Sequence, residues 1–310
     1  MARFTYNLKY IFQYNKDGSG LTQNKRYNTL DLIGRQLHEG GYKIKDPHNL
    51  KPKHISYLIS RWKNEGLETS TIKDRLSQIR WLLIKVNKES IIPKDNVSLG
   101  IGRRVYVDNK DKAIRLNDSG VLEKINKIEN NNLKLQIELA ANFGLRFEEA
   151  SKFKPHEADK GDYILVHYGT KGGQDRSVPI QTEQQRDFLN KCKLAIDKHS
   201  SMIPKEYTYI KWQKMAYNEF KAIGLSKTSS ERSFHALRHG YAQDFYMKRT
   251  GWDSCPVHFA NPEEWEQHIK TKYELSDENF KEKDTEGRIA TAEVLGHHRE
   301  DIVAQYIGGK

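Results

Sequence analysis

Between Ser70 and Asn87 the apolar residues Ile72, Leu76, Ile79, Leu83 and Val86 fall at steps of four, three, four and three. An α-helix puts residues so spaced on one face, and a face that apolar has to be covered by neighbouring helices. Lys73, Arg75, Gln78, Arg80 and Lys85 lie off the stripe, so the outer surface is cationic. Thr69 or Ser70 is the expected N-cap. The same reading predicts helices over 22–37 and 53–64. The first turns Tyr27, Leu30, Ile33 and Leu37 inward and stops at Gly40-Gly41; the second turns in Ile55, Leu58, Ile59 and Trp62. Trp62 and Trp81 are read as core rather than as platforms for bases. Residues 1–98 are therefore expected to form a helical bundle with a basic exterior.

The charge is unevenly spread. The chain of 310 residues carries a net +11. Residues 1–110 hold 21 Lys and Arg against 10 Asp and Glu, while the remainder is balanced at 31 of each. A basic lobe followed by a neutral one suits a first domain that grips a polyanion and a second that acts locally. Nucleic acid fits better than an anionic membrane, because no basic segment is also a strongly amphipathic, lipid-facing helix. No apolar run approaches the roughly 20 residues that span a bilayer. The opening Met1–Tyr6 lacks a cleavable apolar core. Cys192 and Cys255 are too few and too far apart for a disulfide framework or a zinc site, so a reducing, cytoplasmic setting is expected.

Periodicity dissolves over 91–115, where Pro93, Gly100 and Gly102 interrupt a polar, basic stretch. Residues 99–112 read as a linker, with Arg103 and Arg104 near phosphates. A second domain is expected over 113–310. Asn117-Asp118-Ser119 caps a helix reaching about 129, and a helix over 133–143 stops at Gly144. Arg146 follows on the turn, with Glu149 three residues on. Strands over 163–167 and 176–180 form a hairpin whose turn, Thr170 to Asp175, lets Lys171 project beside Gly172-Gly173. Helices follow over 183–198, 207–222 and 233–247, the last with His235 and Arg238 on one face. Residues 250–286 are strongly charged and carry Trp252, Cys255, Pro256, Pro262 and Trp265, with a helix expected over 262–273. Helices over 289–295 and 302–307 close the chain, the final one bearing Tyr306.

Four motifs stand in a fixed order: Gly144-Leu145-Arg146 with Glu149; Thr170-Lys171-Gly172-Gly173; His235-Ala236-Leu237-Arg238-His239; and Leu295-Gly296-His297 with Tyr306 nine residues later. Together they resemble the tyrosine recombinases of the phage-integrase family. The resemblance implies a mainly α, two-domain fold. Its first domain is a helical, SAM-like core-binding domain over 1–98; its second is an α+β catalytic domain with a small antiparallel sheet.

The resemblance also implies roles. Arg146 and Arg238 clamp the phosphoryl oxygens, and Glu149 positions Arg146. Lys171 is the general acid, His235 helps to accept the nucleophile's proton, His297 bonds the phosphoryl group and Tyr306 attacks. Lys73, Arg75, Arg80, Arg103 and Arg104 are the expected DNA-binding residues; His239 and His298 are left as structural or supporting.

That inventory suits the reaction. A phenol with a pKa of about 10 is a weak nucleophile near neutrality. The site therefore needs fixed cations for the non-bridging oxygens, a proton acceptor and a proton donor. A covalent phosphotyrosine keeps the energy of the broken bond, so no cofactor or metal is called for.

The expected partners are double-stranded DNA attachment sites, a homotetramer in the synaptic complex and accessory DNA-bending proteins, with no membrane. The expected setting is a bacterial or phage-encoded protein at the nucleoid. Integration or excision of a mobile element is the favoured role. A Xer-like resolvase and a type IB topoisomerase are the alternatives, and a metal nuclease built on His235, His239, His297 and His298 is disfavoured. Two departures stand out. Residues 250–286 are an insertion relative to most relatives, and four residues follow Tyr306, so coupling between protomers is expected to be weaker or to come from the insertion.

Overall fold

Four amphipathic helices leave the chain's first hundred residues little choice of core. The computed structural model describes residues 3–103, 107, 109–225, 233–297 and 299–309, which leaves Arg104 and His298 outside the described residues. The chain divides between Val105 and Tyr106 into two units, inside the stretch where periodicity lapses.

In the first unit, α1 (Arg3–Tyr14), α2 (Gly20–Glu39), α3 (Pro52–Asn64) and α4 (Thr69–Lys85) enclose one core. Sequence reading missed α1. Its buried residues Phe4, Leu8 and Ile11 alternate with exposed Tyr6, Tyr10 and Tyr14, so aromatic residues on both faces hide the stripe. Ser19 caps α2 by accepting from the Thr22 amide at 3.2 Å. The cap expected for α4 is corrected: Glu68 precedes the helix and no side chain caps it. Trp62 is fully buried and donates to Gln36 Oε1 at 2.8 Å. Losing that partner would leave a buried N–H unpaired, at a cost of about 1–3 kcal/mol.

The second unit packs α11 (His235–Thr250) against α6 (Asn131–Phe143), α14 (Asp277–Val294) and α15 (Glu300–Ile307). Around these lie α5 (Val121–Asn126), α7 (Phe147–Lys152), α8 (Pro155–Ala158), α9 (Glu183–Ala195) and α10 (Tyr209–Ala222). Residues 250–286 contribute α12 (Cys255–His258), α13 (Pro262–Lys272) and the first half of α14. Trp252, Trp265 and Phe280 from this segment are buried in the unit's core, so the segment is built into the fold.

Strands β1 (Tyr163–Val166) and β2 (Arg176–Pro179) pair antiparallel, with Ile164 opposite Val178 and Val166 opposite Arg176. Period-two alternation turns these four side chains to the buried face. The cap expected at Asn117–Ser119 is also corrected. The helix starts after Gly120, which is left-handed, and Asp118 instead accepts from the Arg115 amide to close a turn. The expected continuous helix over 289–295 is the end of α14. Among the described residues no helix is long and apolar enough to cross a membrane.

Candidate active site

Helix α6 ends at Gly144, whose φ of 62° suits glycine and where a Cβ would lie 2.4 Å from the Tyr241 ring. The tight exit places Arg146 at the start of α7. There its amide donates to Glu149 Oε2 at 2.7 Å and its guanidinium donates to Oε1 at 2.7 Å. Glu149 is fully buried. Arg176, from the inward face of β2, donates Nη1 to Oε1 at 2.6 Å and Nη2 to Oε2 at 2.7 Å. Arg238 Nη1 lies 4.0 Å from Oε2. Burial would raise the Glu149 carboxyl, but the Arg176 hydrogen bonds and the charges of Arg176, Arg146 and Arg238 outweigh it and hold the group at about 2.

Arg238 has no exposed surface. It donates to the Gly144 and Leu295 carbonyls, where α6 and α14 end, so the negative ends of two helices face one guanidinium. Its Nε donates to the Tyr306 hydroxyl at 3.3 Å, and its Nη2 lies 3.4 Å from His297 Nε2. Burial lowers the group to about 10, which leaves it charged at neutral pH. Tyr306 is 5% exposed. Its ring lies 4.7 Å from that of His239, 5.5 Å from His235 and 5.7 Å from His297. Burial pushes His297 down to about 4, helped by the charges of Arg238 and Arg146, and burial does the same to His239. Both rings are neutral at pH 7.

Lys171 begins a single 3-10 turn, Lys171–Gly173, at the hairpin tip and is exposed. It lines a cavity of about 390 Å³ together with Arg146, Arg176, His297 and Arg299. Asp175 and Glu293 also face this cavity. The geometry thus gathers Arg146, Glu149, Arg238, His297 and Tyr306 in one cluster, with His235 beside the phenol and Lys171 lining the cavity that Arg146 and His297 also face. Three guanidiniums around one carboxylate leave an excess of positive charge, and the Tyr306 hydroxyl rests against one of them. Such an arrangement can receive an anionic oxygen-rich group and attack it.

Sequence reading took Arg176 only as a strand residue. The available signal was alternation: Val178 inward puts Arg176 inward, and a buried charge needs a partner.

The five expected DNA contacts separate. Lys73 is partly exposed and Arg103 is exposed. Arg75 lies over the Trp62 ring at 5.2 Å, and its Nη1 is buried without a hydrogen-bond partner. Arg80 donates to the carbonyls of Pro93 and Asp95 and to Asn96 Oδ1, at 3.0 to 3.3 Å, so it clips the segment after α4 to that helix. Arg104 lies outside the described residues.

Two family descriptions match the chain: "Phage integrase, N-terminal" over residues 1–92 and "Integrase" over residues 106–244. No protein of curated function matches it. Among solved structures, a lambda integrase (75–356) dimer bound to a COC′ core site is 18% identical. That match covers 96% of this chain and 92% of that one, with a TM-score of 0.61. The Tn1549 transposon integrase in complex with transposon right end DNA is 12% identical over 100% and 96%, with a TM-score of 0.58. The XerH site-specific recombinase bound to palindromic difH is 15% identical over 99% and 81%, also at 0.58. At these identities the likeness is one of fold.

Proposed function

The chain belongs to the phage integrase family, the tyrosine recombinases, and from that premise we propose that it integrates and excises a phage or other mobile element through a 3′-phosphotyrosyl intermediate. The observation that carries the reading is the Tyr306 hydroxyl lying 3.3 Å from Nε of the buried Arg238. Lambda integrase, the Tn1549 integrase and XerH were each solved on DNA, which supports DNA as the substrate here.

In the proposed reaction, Arg146 and Arg238 bond the non-bridging oxygens of the scissile phosphodiester. Their charge counts most as negative charge builds on those oxygens. The Tyr306 oxygen attacks phosphorus, and His235, beside the phenol, helps to take its proton. The bond to the 5′ oxygen breaks, and Lys171 supplies the proton that this leaving oxygen needs. His297, neutral and held against Arg238, bonds the phosphoryl group. The reverse reaction, with a 5′ hydroxyl from another strand, rejoins DNA without ATP.

Glu149 is the supporting residue. It fixes Arg146 through both the backbone and the side chain. The basic first unit would grip the duplex, with partly exposed Lys73 and exposed Arg103 among its cations. We place the working form in the cytoplasm as a tetramer on two duplexes, as in the lambda integrase tetramer solved on a Holliday junction.

The test is a nicked suicide substrate carrying candidate attachment DNA. A covalent protein–DNA complex should form with the wild type and not with Tyr306→Phe. Equal trapping by both proteins, or none by a wild type that binds the site, would remove the reading. Paired attachment sites on one plasmid then separate a recombinase from a type IB topoisomerase, which would relax the plasmid without giving recombinants.

A further inference from the structure

On the recombinase reading above, we propose that Arg176 is a positioning residue that occupies both oxygens of Glu149, so that this carboxylate aligns Arg146 without neutralising Arg238. Arg176 sits on the buried face of β2, opposite Val166. A charge there is tolerated only if it is well paired, and each of the three guanidinium nitrogens donates. Nη1 and Nη2 take the two carboxylate oxygens at 2.6 and 2.7 Å, and Nε donates to the Val294 carbonyl at 3.1 Å.

The arrangement matters because Glu149 Oε2 is 4.0 Å from Arg238 Nη1, just beyond hydrogen-bonding distance. Opposite charges that close attract strongly in a dry interior. With both oxygens already held, the carboxylate does not close on Arg238. Were it to close, the guanidinium that touches the Tyr306 hydroxyl would be neutralised before any phosphate arrived. Arg176 also joins two motifs. Its Nε bond reaches the end of α14 just ahead of His297, and its own strand leads back to the loop bearing Lys171. A lysine at this position offers a point charge, not a fork, and can satisfy one oxygen at a time.

The experiment measures the rate of covalent-complex formation on the nicked suicide substrate, with DNA affinity in parallel. It compares the wild type, R176M, R176K and the double variant E149Q/R176M. R176M should slow the reaction about 100-fold, the scale of losing one oriented electrostatic contact, with DNA affinity unchanged. R176K should fall between R176M and the wild type. The double variant should be faster than R176M by about 10-fold, because a neutral amide no longer competes for Arg238. A purely structural Arg176 would make the double variant as slow as R176M or slower, and that result overturns the proposal. So does a wild-type rate from R176M. If R176M does not fold, R176K against E149Q/R176K makes the same comparison. A wild type that binds the DNA yet forms no covalent complex overturns the recombinase reading itself, a different signature from an active wild type with an indifferent Arg176.

Discussion

Arg288 and Asp284, one turn apart on α14, form a buried pair that looks at first like Arg176 and Glu149. Arg288 Nε bonds both Asp284 oxygens, at 2.9 and 2.8 Å, and the Tyr246 hydroxyl donates to the same carboxylate. The remaining donors of Arg288 reach the carbonyls of Gly308 at 2.9 Å and Gly309 at 3.5 Å, just past Tyr306. One cation meets one anion there, and what is left over binds the chain's own backbone. Around Glu149, three guanidiniums share a single carboxylate, and the surplus faces a cavity. A balanced pair is a rivet; an unbalanced cluster waits for an anion from outside. The two lie in the same unit and both bear on Tyr306, one by anchoring the segment after it and one by meeting its hydroxyl.

Four measurements break or sharpen that contrast. Arg288→Met strands Asp284 in the core and should lower the unfolding free energy by about 3–5 kcal/mol, read by denaturant unfolding. An effect under 1 kcal/mol would deny it the role of a rivet. Arg238→Gln should instead strike the chemistry, with covalent-complex formation falling about 10²–10³-fold, equivalent to about 2.7–4 kcal/mol, while DNA binding persists. Wild-type cleavage would remove Arg238 from the clamp.

The third measurement is acid unfolding. Glu149 titrates at about 2 in the fold, against about 4.3 in an unfolded chain, a difference worth about 3 kcal/mol. Its folded pKa is depressed, so this stability is fully present above about pH 4.3 and is lost as the pH falls through about 2. His239 and His297, held at about 4, give an earlier limb. Their neutral forms stabilise the fold above about pH 6.5, and that contribution falls away as the pH drops towards 4. Glu149→Gln should flatten the lower limb and leave the upper one; an unchanged lower limb would contradict the assignment.

The smallest effect is expected at the tail. Gly308 has φ 88° and ψ 162°, a region open only to glycine, and an added Cβ would lie 2.9 Å from Cys255 Cβ and Pro256 Cδ. Gly308→Ala should cost about 1–3 kcal/mol of local strain, seen as faster hydrogen exchange in α15 with the rest of the chain unaffected. Unchanged protection would mean that the tail is not seated by this contact.

The sequence was most readable where one period dominated. The stripe through Ile72, Leu76, Ile79 and Leu83 gave α4 within two residues at each end, and Gly144 marked the stop of α6 by the backbone it demands. It was least readable where two signals overlapped. The outward tyrosines of α1 mask its inward Phe4, Leu8 and Ile11. Asp118 resembled a cap because local side-chain bonding serves turns and helix ends alike. Arg80, on the cationic face, looked free for phosphate, yet its partners lie 13 to 16 residues on, in a segment with no periodicity to reveal the meeting. At the site, the motifs named Arg146, Arg238 and Tyr306, but Arg176 belongs to none of them. Alternation with Val178 marks it as inward, but the carboxylate it meets, Glu149, lies 27 residues earlier in the chain and is brought to it only by the fold.

Gly296 carries a consequence for descent. A Cβ at this glycine would fall 2.8 Å from Cδ of Arg176, so the arginine's stem occupies space that any side chain would claim. The two positions should therefore be inherited as a couple. A lineage that enlarges residue 296 has to shed the arginine first, and even then a side chain there meets the strain of a φ of 68°.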